Sequence, residues 1–189
     1  MSCKFISTEI AGLTVVETQI FTDRRGYFTE SYNAAEFQAQ GLTTHFVQDN
    51  QSYSHQGVLR GMHYQRDPHS QAKLVRVIVG EIVDVAVDVR VGSPTFGQHQ
   101  AIRLSADNQR QLFLPRGFLH GFLVLSAAAI VTYKCDNFYC PAAEVTVRYD
   151  DPELNIAWPK QAKDAIVSAK DRSTALSWEQ FQHEVLGIN

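Results

Sequence analysis

The run Ile82-Val83-Asp84-Val85-Ala86-Val87-Asp88-Val89 alternates with period two, the spacing of a β-strand and not of a helix. Its valines at 83, 85, 87 and 89 share one face, and Asp84, Ala86 and Asp88 share the other. Two readings of that face stand on the pattern alone. The aspartates are either solvated, or they line a barrel whose interior is polar and holds a ligand. Residues 13–21, 27–31, 45–52, 73–79, 98–104, 111–114, 121–125, 130–135 and 145–149 supply further short strands. Turn signals such as Asp67-Pro68, Val91-Gly92-Ser93-Pro94 and Pro115-Arg116-Gly117 separate them. Only residues 33–40 and 177–186 read as helices, each ending near a glycine, with Ser177 placed to cap the second. No repeat or linker interrupts the pattern. These signals predict one all-β domain over residues 1–189, a sandwich or barrel with a few short peripheral helices.

The chain is 44 % hydrophobic over 189 residues, enough to fill a core without disulfides or metal. Its 17 Lys and Arg stand against 20 Asp and Glu, for a net charge of −3. That balance excludes a nucleic-acid binder driven by bulk positive charge, but local arginines can still serve a small anion. The longest apolar stretch, residues 122–131, holds a serine and falls short of the roughly 20 residues of a membrane helix. The first nine residues hold Lys4 and no apolar core of a signal peptide. Cys3, Cys135 and Cys140 have no metal-like spacing and fit a reducing compartment. A soluble cytoplasmic protein is expected, with no nucleic-acid or membrane partner.

The polar residues most embedded in apolar sequence are Arg60 and His63, in Gly57-Val58-Leu59-Arg60-Gly61-Met62-His63-Tyr64-Gln65. His120 lies in a second glycine-flanked segment, Pro115-Arg116-Gly117-Phe118-Leu119-His120-Gly121-Phe122. Two such histidines with Arg60 and Lys73 point to a small anionic ligand, because a guanidinium fork and an ammonium both hold phosphate oxygens. A metal centre is not expected. His63 is followed by Tyr64 and Gln65, so the His-x-His pair common in small metal-binding barrels is absent. Neither a Gly-x-Gly-x-x-Gly loop nor a P-loop occurs. By pattern alone, Tyr133 is a core aromatic, Lys73 a strand-edge charge and Asp171 a surface residue or helix cap. Arg25 and Glu30 look like a turn charge and a solvated strand residue.

Taken together, the blocks resemble the dTDP-4-dehydrorhamnose 3,5-epimerase family. They begin with Asp23-Arg24-Arg25-Gly26-Tyr27-Phe28-Thr29-Glu30, Phe46-Val47-Gln48-Asp49-Asn50 and Val58-Leu59-Arg60-Gly61-Met62-His63-Tyr64-Gln65. They continue through Lys73-Leu74-Val75-Arg76-Val77, Asp84 to Arg90, Gly92 to Gly97, Pro115 to Phe122, Tyr133-Lys134 and Asp151-Pro152. The resemblance implies a metal-free, cupin-like jelly roll that forms a homodimer and needs no cofactor. It also implies epimerisation at C3 and C5 of a 4-keto hexose carried on dTDP. By family correspondence His63 is the general base, Asp171 its partner carboxylate and Tyr133 the general acid; in that chemistry Lys73 can stabilise the charge developing on the ketone oxygen. Contacts to the dTDP-sugar then fall on Arg25, Glu30, Gln48, Asp49, Asn50, Arg60, Lys73, His120, Glu144 and Lys170, with Tyr139 stacking on thymine. Met62, Leu119 and Ala72 depart from the leucine, alanine and glycine usual in the family, and are expected to alter packing near the pocket. An epimerase acting on one carbon only, a non-catalytic sugar-nucleotide-binding barrel and a metal-dependent cupin are the competing readings.

Overall fold

The computed structural model describes residues 3–188; Met1, Ser2 and Asn189, which the single-domain reading includes, lie outside the described residues. The chain opens with β1 (Cys3–Ser7), β2 (Thr14–Thr18), the hairpin β3 (Phe21–Asp23) and β4 (Gly26–Phe28), and helix α1 (Ala34–Ala39). It continues with β5 (Gln48–His55), β6 (Leu59–Gln65), β7 (Lys73–Val79), β8 (Glu81–Asp88) and β9 (His99–Ser105). Strands β10 (Arg110–Leu114), β11 (Phe118–Val124), β12 (Ala128–Cys135) and β13 (Glu144–Thr146) follow. A 3₁₀ turn (Lys160–Asp164), α2 (Ala169–Thr174) and α3 (Trp178–Glu184) close the chain. Two antiparallel sheets face each other, one ordered β1-β2-β10-β7-β12-β5 and the other β13-β6-β11-β8-β9. This is the expected cupin-like jelly roll. Among the described residues, no helix is long and apolar enough to cross a membrane.

Inward-facing rows are apolar at one end and polar at the other. On β7 the row is Lys73, Val75, Val77; on β12 it is Tyr133, Val131, Ala129. Val75, Val77, Val131, Ile82, Phe118 and Phe122 meet in one core cluster drawn from both sheets. The polar ends of the rows leave room for a cavity.

Strand β8 is buried on both faces, so the solvated reading of its aspartates is corrected: Asp84 and Asp88 are each 0 % exposed. Its valines do not meet solvent either. They pack against Leu154, Trp178 and Phe181 of the C-terminal segment, which lies over the outer face of the sheet. Ser177 starts α3 with a reciprocal cap, its Oγ accepting from Gln180 N and its own N–H donating to Gln180 Oε1. Asp88 serves a turn rather than a ligand, accepting from Arg90, Ser93 and Thr95 at 2.6–2.8 Å.

Strand β6, read in the sequence only as a tight segment, breaks strict alternation for a visible reason. His63 pairs with His120 and Arg60 with Phe122, so Gly61 and Met62 together oppose Gly121. That is a bulge, two residues against one. A Cβ on Gly61 would lie 2.5 Å from Gly121 Cα, so the backbones approach too closely for any side chain. Met62, Leu119 and Ala72, the departures from the family pattern, are buried in outer clusters.

Candidate active site

The bulge matters because residues 60 and 63 of a regular strand would face opposite sides. With one extra residue between them, both Arg60 and His63 line the same cavity of about 360 Å³. Strand β11 adds His120, Phe118 and Phe122, strand β7 adds Lys73, and β12 adds Tyr133. Strand β5 contributes Gln48 and Asn50, and Tyr139 and Glu144 stand at the β12–β13 end. The volume suits a small-molecule site.

His63 Nε2 lies 2.8 Å from Asp171 Oδ1. Burial alone would raise the Asp171 carboxyl, but bonds from His63 and Ser168 outweigh it and hold the group below its ordinary value. An ionised carboxylate only accepts, so Nε2 carries a proton, and in the neutral ring the lone pair is then on Nδ1. The chain brings this partner across 108 positions. Its C-terminal segment bridges to Val58 through Ile166 and to Val147 through Leu176, and Ser168 Oγ caps α2 by accepting from Asp171 N. The Asp171 side chain thus projects from a capped first turn. His120 has its own carboxylate, with Nε2 2.7 Å from Asp84 Oδ1.

Tyr133 stands on the other sheet from His63, with the Lys73 ammonium 5.5 Å from its ring centroid. Burial raises the Tyr133 phenol, which keeps it protonated and able to donate. Burial lowers the Lys73 ammonium, against the opposing pull of Asp136, Glu144 and Asp84. Tyr139 OH donates to Glu144 Oε2 (2.8 Å), Lys170 pairs with the same oxygen, and Tyr139 N donates to Gln48 Oε1. Arg60 donates to Ser54 Oγ (3.0 Å) and has no carboxylate partner among the described residues. Within the described residues no cluster of three or more His, Cys, Asp or Glu is arranged to hold a metal.

The family model for dTDP-4-dehydrorhamnose 3,5-epimerase matches residues 7–179. The chain belongs to this epimerase family. A family protein from Methanothermobacter thermautotrophicus is 50 % identical over 171 residues, covering 90 % of this chain and 92 % of that protein. The solved structure of the family's enzyme from Elizabethkingia anophelis superposes with a TM-score of 0.90 at 45 % identity, covering 95 % of this chain and 98 % of that one. A Legionella pneumophila epimerase, solved in complex with dTDP-4-keto-L-rhamnose, gives a TM-score of 0.88 at 47 % identity, with 92 % of each chain covered.

Nine of the residues singled out from sequence line the cavity: Gln48, Asn50, Arg60, His63, Lys73, His120, Tyr133, Tyr139 and Glu144. Asp171 and Lys170 line an adjoining cavity that also touches His63. Asp49 does not join them. Alternation on β5 turns it to the opposite face, where it pairs with Lys134 at 2.7 Å. Arg25 and Glu30 also lie off the cavity lining. The Arg25 guanidinium, 90 % exposed at the tip of the β3–β4 hairpin, forks onto Asp23, and Glu30 accepts from Asn33. Sequence reasoning passed over Ser52, Gln71, Phe118 and Phe122, which also line the cavity. The parity of each matches a neighbouring site residue (Ser52 with Asn50, Gln71 with Lys73, the phenylalanines with His120), so a usable signal was present.

Proposed function

We propose that the chain epimerises C3 and C5 of dTDP-4-dehydro-6-deoxy-D-glucose to give dTDP-4-dehydro-L-rhamnose, a step of dTDP-L-rhamnose biosynthesis. The observation that carries the residue roles is the placement of His63 and Tyr133 on facing sheets across one cavity. Hydrogens on C3 and C5 flank the C4 ketone, so removing either gives an enolate with its charge on O4. Inversion needs a base on one face of the sugar and an acid on the other. His63 Nδ1 takes the proton, and Asp171 stabilises the imidazolium that forms. Lys73 faces the developing charge on O4, a contact typically worth about 3 kcal/mol in the transition state. Tyr133 returns a proton to the opposite face. At each carbon one proton leaves and one arrives. His63 then gives its proton to solvent and Tyr133 regains one, so the pair is reset, no electrons are lost and no cofactor is consumed. Incubation of the purified protein with the substrate, followed by NMR, should reveal the L-configured 4-keto sugar. Recovery of unchanged substrate would overturn the assignment.

Arg60, whose fork meets no carboxylate among the described residues, is the proposed pyrophosphate contact. Arg60→Ala is expected to weaken dTDP binding by about 2 kcal/mol, the loss of a charge-assisted partner. Calorimetric titration with dTDP checks it, and unchanged affinity removes Arg60 from the site.

We also propose that residues 1–189 form a single domain that works in the cytoplasm as a homodimer. Three free cysteines support the compartment. Phe21, Tyr27 and Phe28 of the β3–β4 hairpin are 51 %, 57 % and 67 % exposed, an aromatic surface suited to a second copy. Docked there, the hairpin would deliver Arg25 and Glu30 to the partner's cavity. Mixing inactive Arg25→Ala and His63→Asn chains should then restore part of the activity, because one cavity of each mixed dimer has both groups. No restoration in a verified mixed dimer would place Arg25 in its own chain's cavity.

A further inference from the structure

The Lys73 ammonium is held by neutral groups. Gln71 Oε1 accepts from Nζ at 2.9 Å, and Cys135 Sγ lies 3.9 Å away, itself accepting from Asn50 Nδ2. Among the described residues, no carboxylate comes within ion-pair distance of this nitrogen. The two histidines of the same cavity, His63 and His120, each meet a carboxylate oxygen, whereas Lys73, like Arg60, meets none among the described residues. A buried ammonium paired to a carboxylate would spend its field on that partner, while one held by an amide oxygen is oriented yet keeps its charge for a ligand.

We infer that Gln71 is a positioning residue that aims the Lys73 ammonium at the substrate's ketone oxygen without neutralising it. The inference rests on the reading of Lys73 as the group facing O4. Gln71 is anchored at its other end, where Nε2 donates to Asn137 O at 2.8 Å, so its acceptor oxygen is fixed toward Lys73. The titratable or charged groups around Lys73 are Cys135, Tyr133 and Asp136 from the β12 region, Glu144 from β13 and Asp84 from β8. Arg60, His63 and His120 line the same cavity.

The test compares pH profiles of kcat and KM for the wild type, Gln71→Met, Gln71→Glu and Lys73→Met. Gln71→Met removes the acceptor, so kcat should fall at least tenfold with KM changing less than threefold, and the alkaline limb should move to lower pH. Gln71→Glu gives the ammonium a carboxylate, so the limb should move to higher pH while the plateau kcat falls. Both variants lose the bond to Asn137, so opposite shifts of the limb cannot come from that shared loss. Lys73→Met should lose at least a hundredfold in kcat. If Lys73→Met is that impaired while the Gln71 variants keep the wild-type limb, the positioning role is overturned and the reading of Lys73 survives. If Lys73→Met retains wild-type kcat, the reading of Lys73 fails and the inference with it.

Discussion

His63→Asn should abolish both epimerisation and the exchange of substrate hydrogens with solvent, because without a base no enolate forms. Asparagine is too short to reproduce the Nε2 bond, but Thr146 Oγ1 still donates to Asp171 Oδ1 and the cap from Ser168 is untouched, so the fold should hold. A positioned acid–base group commonly contributes about 10²–10⁴-fold, and here the loss should reach the top of that range. The measurement is proton NMR of the substrate in deuterated water, with dTDP binding as the control for folding. Wild-type exchange in this variant would remove His63 from the base role. His120, its cross-strand neighbour with a carboxylate of its own, would be the next residue to test.

Tyr133→Phe is expected to separate two events that the wild type couples. The phenol sits on the sheet opposite His63, so its loss leaves the base and the Lys73 ammonium in place. The enolate should still form and be reprotonated by His63 from the side it left. Deuterium would then enter C3 or C5 with the original configuration, while epimerised product falls by about 10²–10⁴-fold. Phenylalanine fills the same volume, and the ring's packing against the core cluster should be retained. Loss of exchange as severe as in His63→Asn would mean that Tyr133 acts before the enolate forms, and the division of labour would be wrong.

Much of this was legible in the sequence because alternation is a local property. Residues 73–79 form β7 with the bounds the pattern gives, and Ser177 caps α3 as its position indicates. Parity along β5 also tells which side chains share a face; by that rule Gln48 and Asn50 go in while Asp49 goes out. Family correspondence alone had grouped all three. What stayed hidden depends on distant partners. Whether Asp84 met water or a ligand was undecidable locally, since its burial comes from facing sheets and its partner His120 lies 36 positions away. The bulge at Gly61 masked β6, because an extra residue destroys the period that marks a strand. Asp171 reads as a polar helix residue until the C-terminal segment is laid along β6.

The most direct test of base and acid on opposite faces is the wild-type reaction in deuterated water, with product NMR at each carbon. If His63 removes protons on one side and a solvent-exchanged Tyr133 returns them on the other, the L-configured product should carry deuterium at both C3 and C5. Product that is inverted but retains its original hydrogen at either carbon would contradict the mechanism, because that hydrogen would have crossed the ring without passing through the two residues.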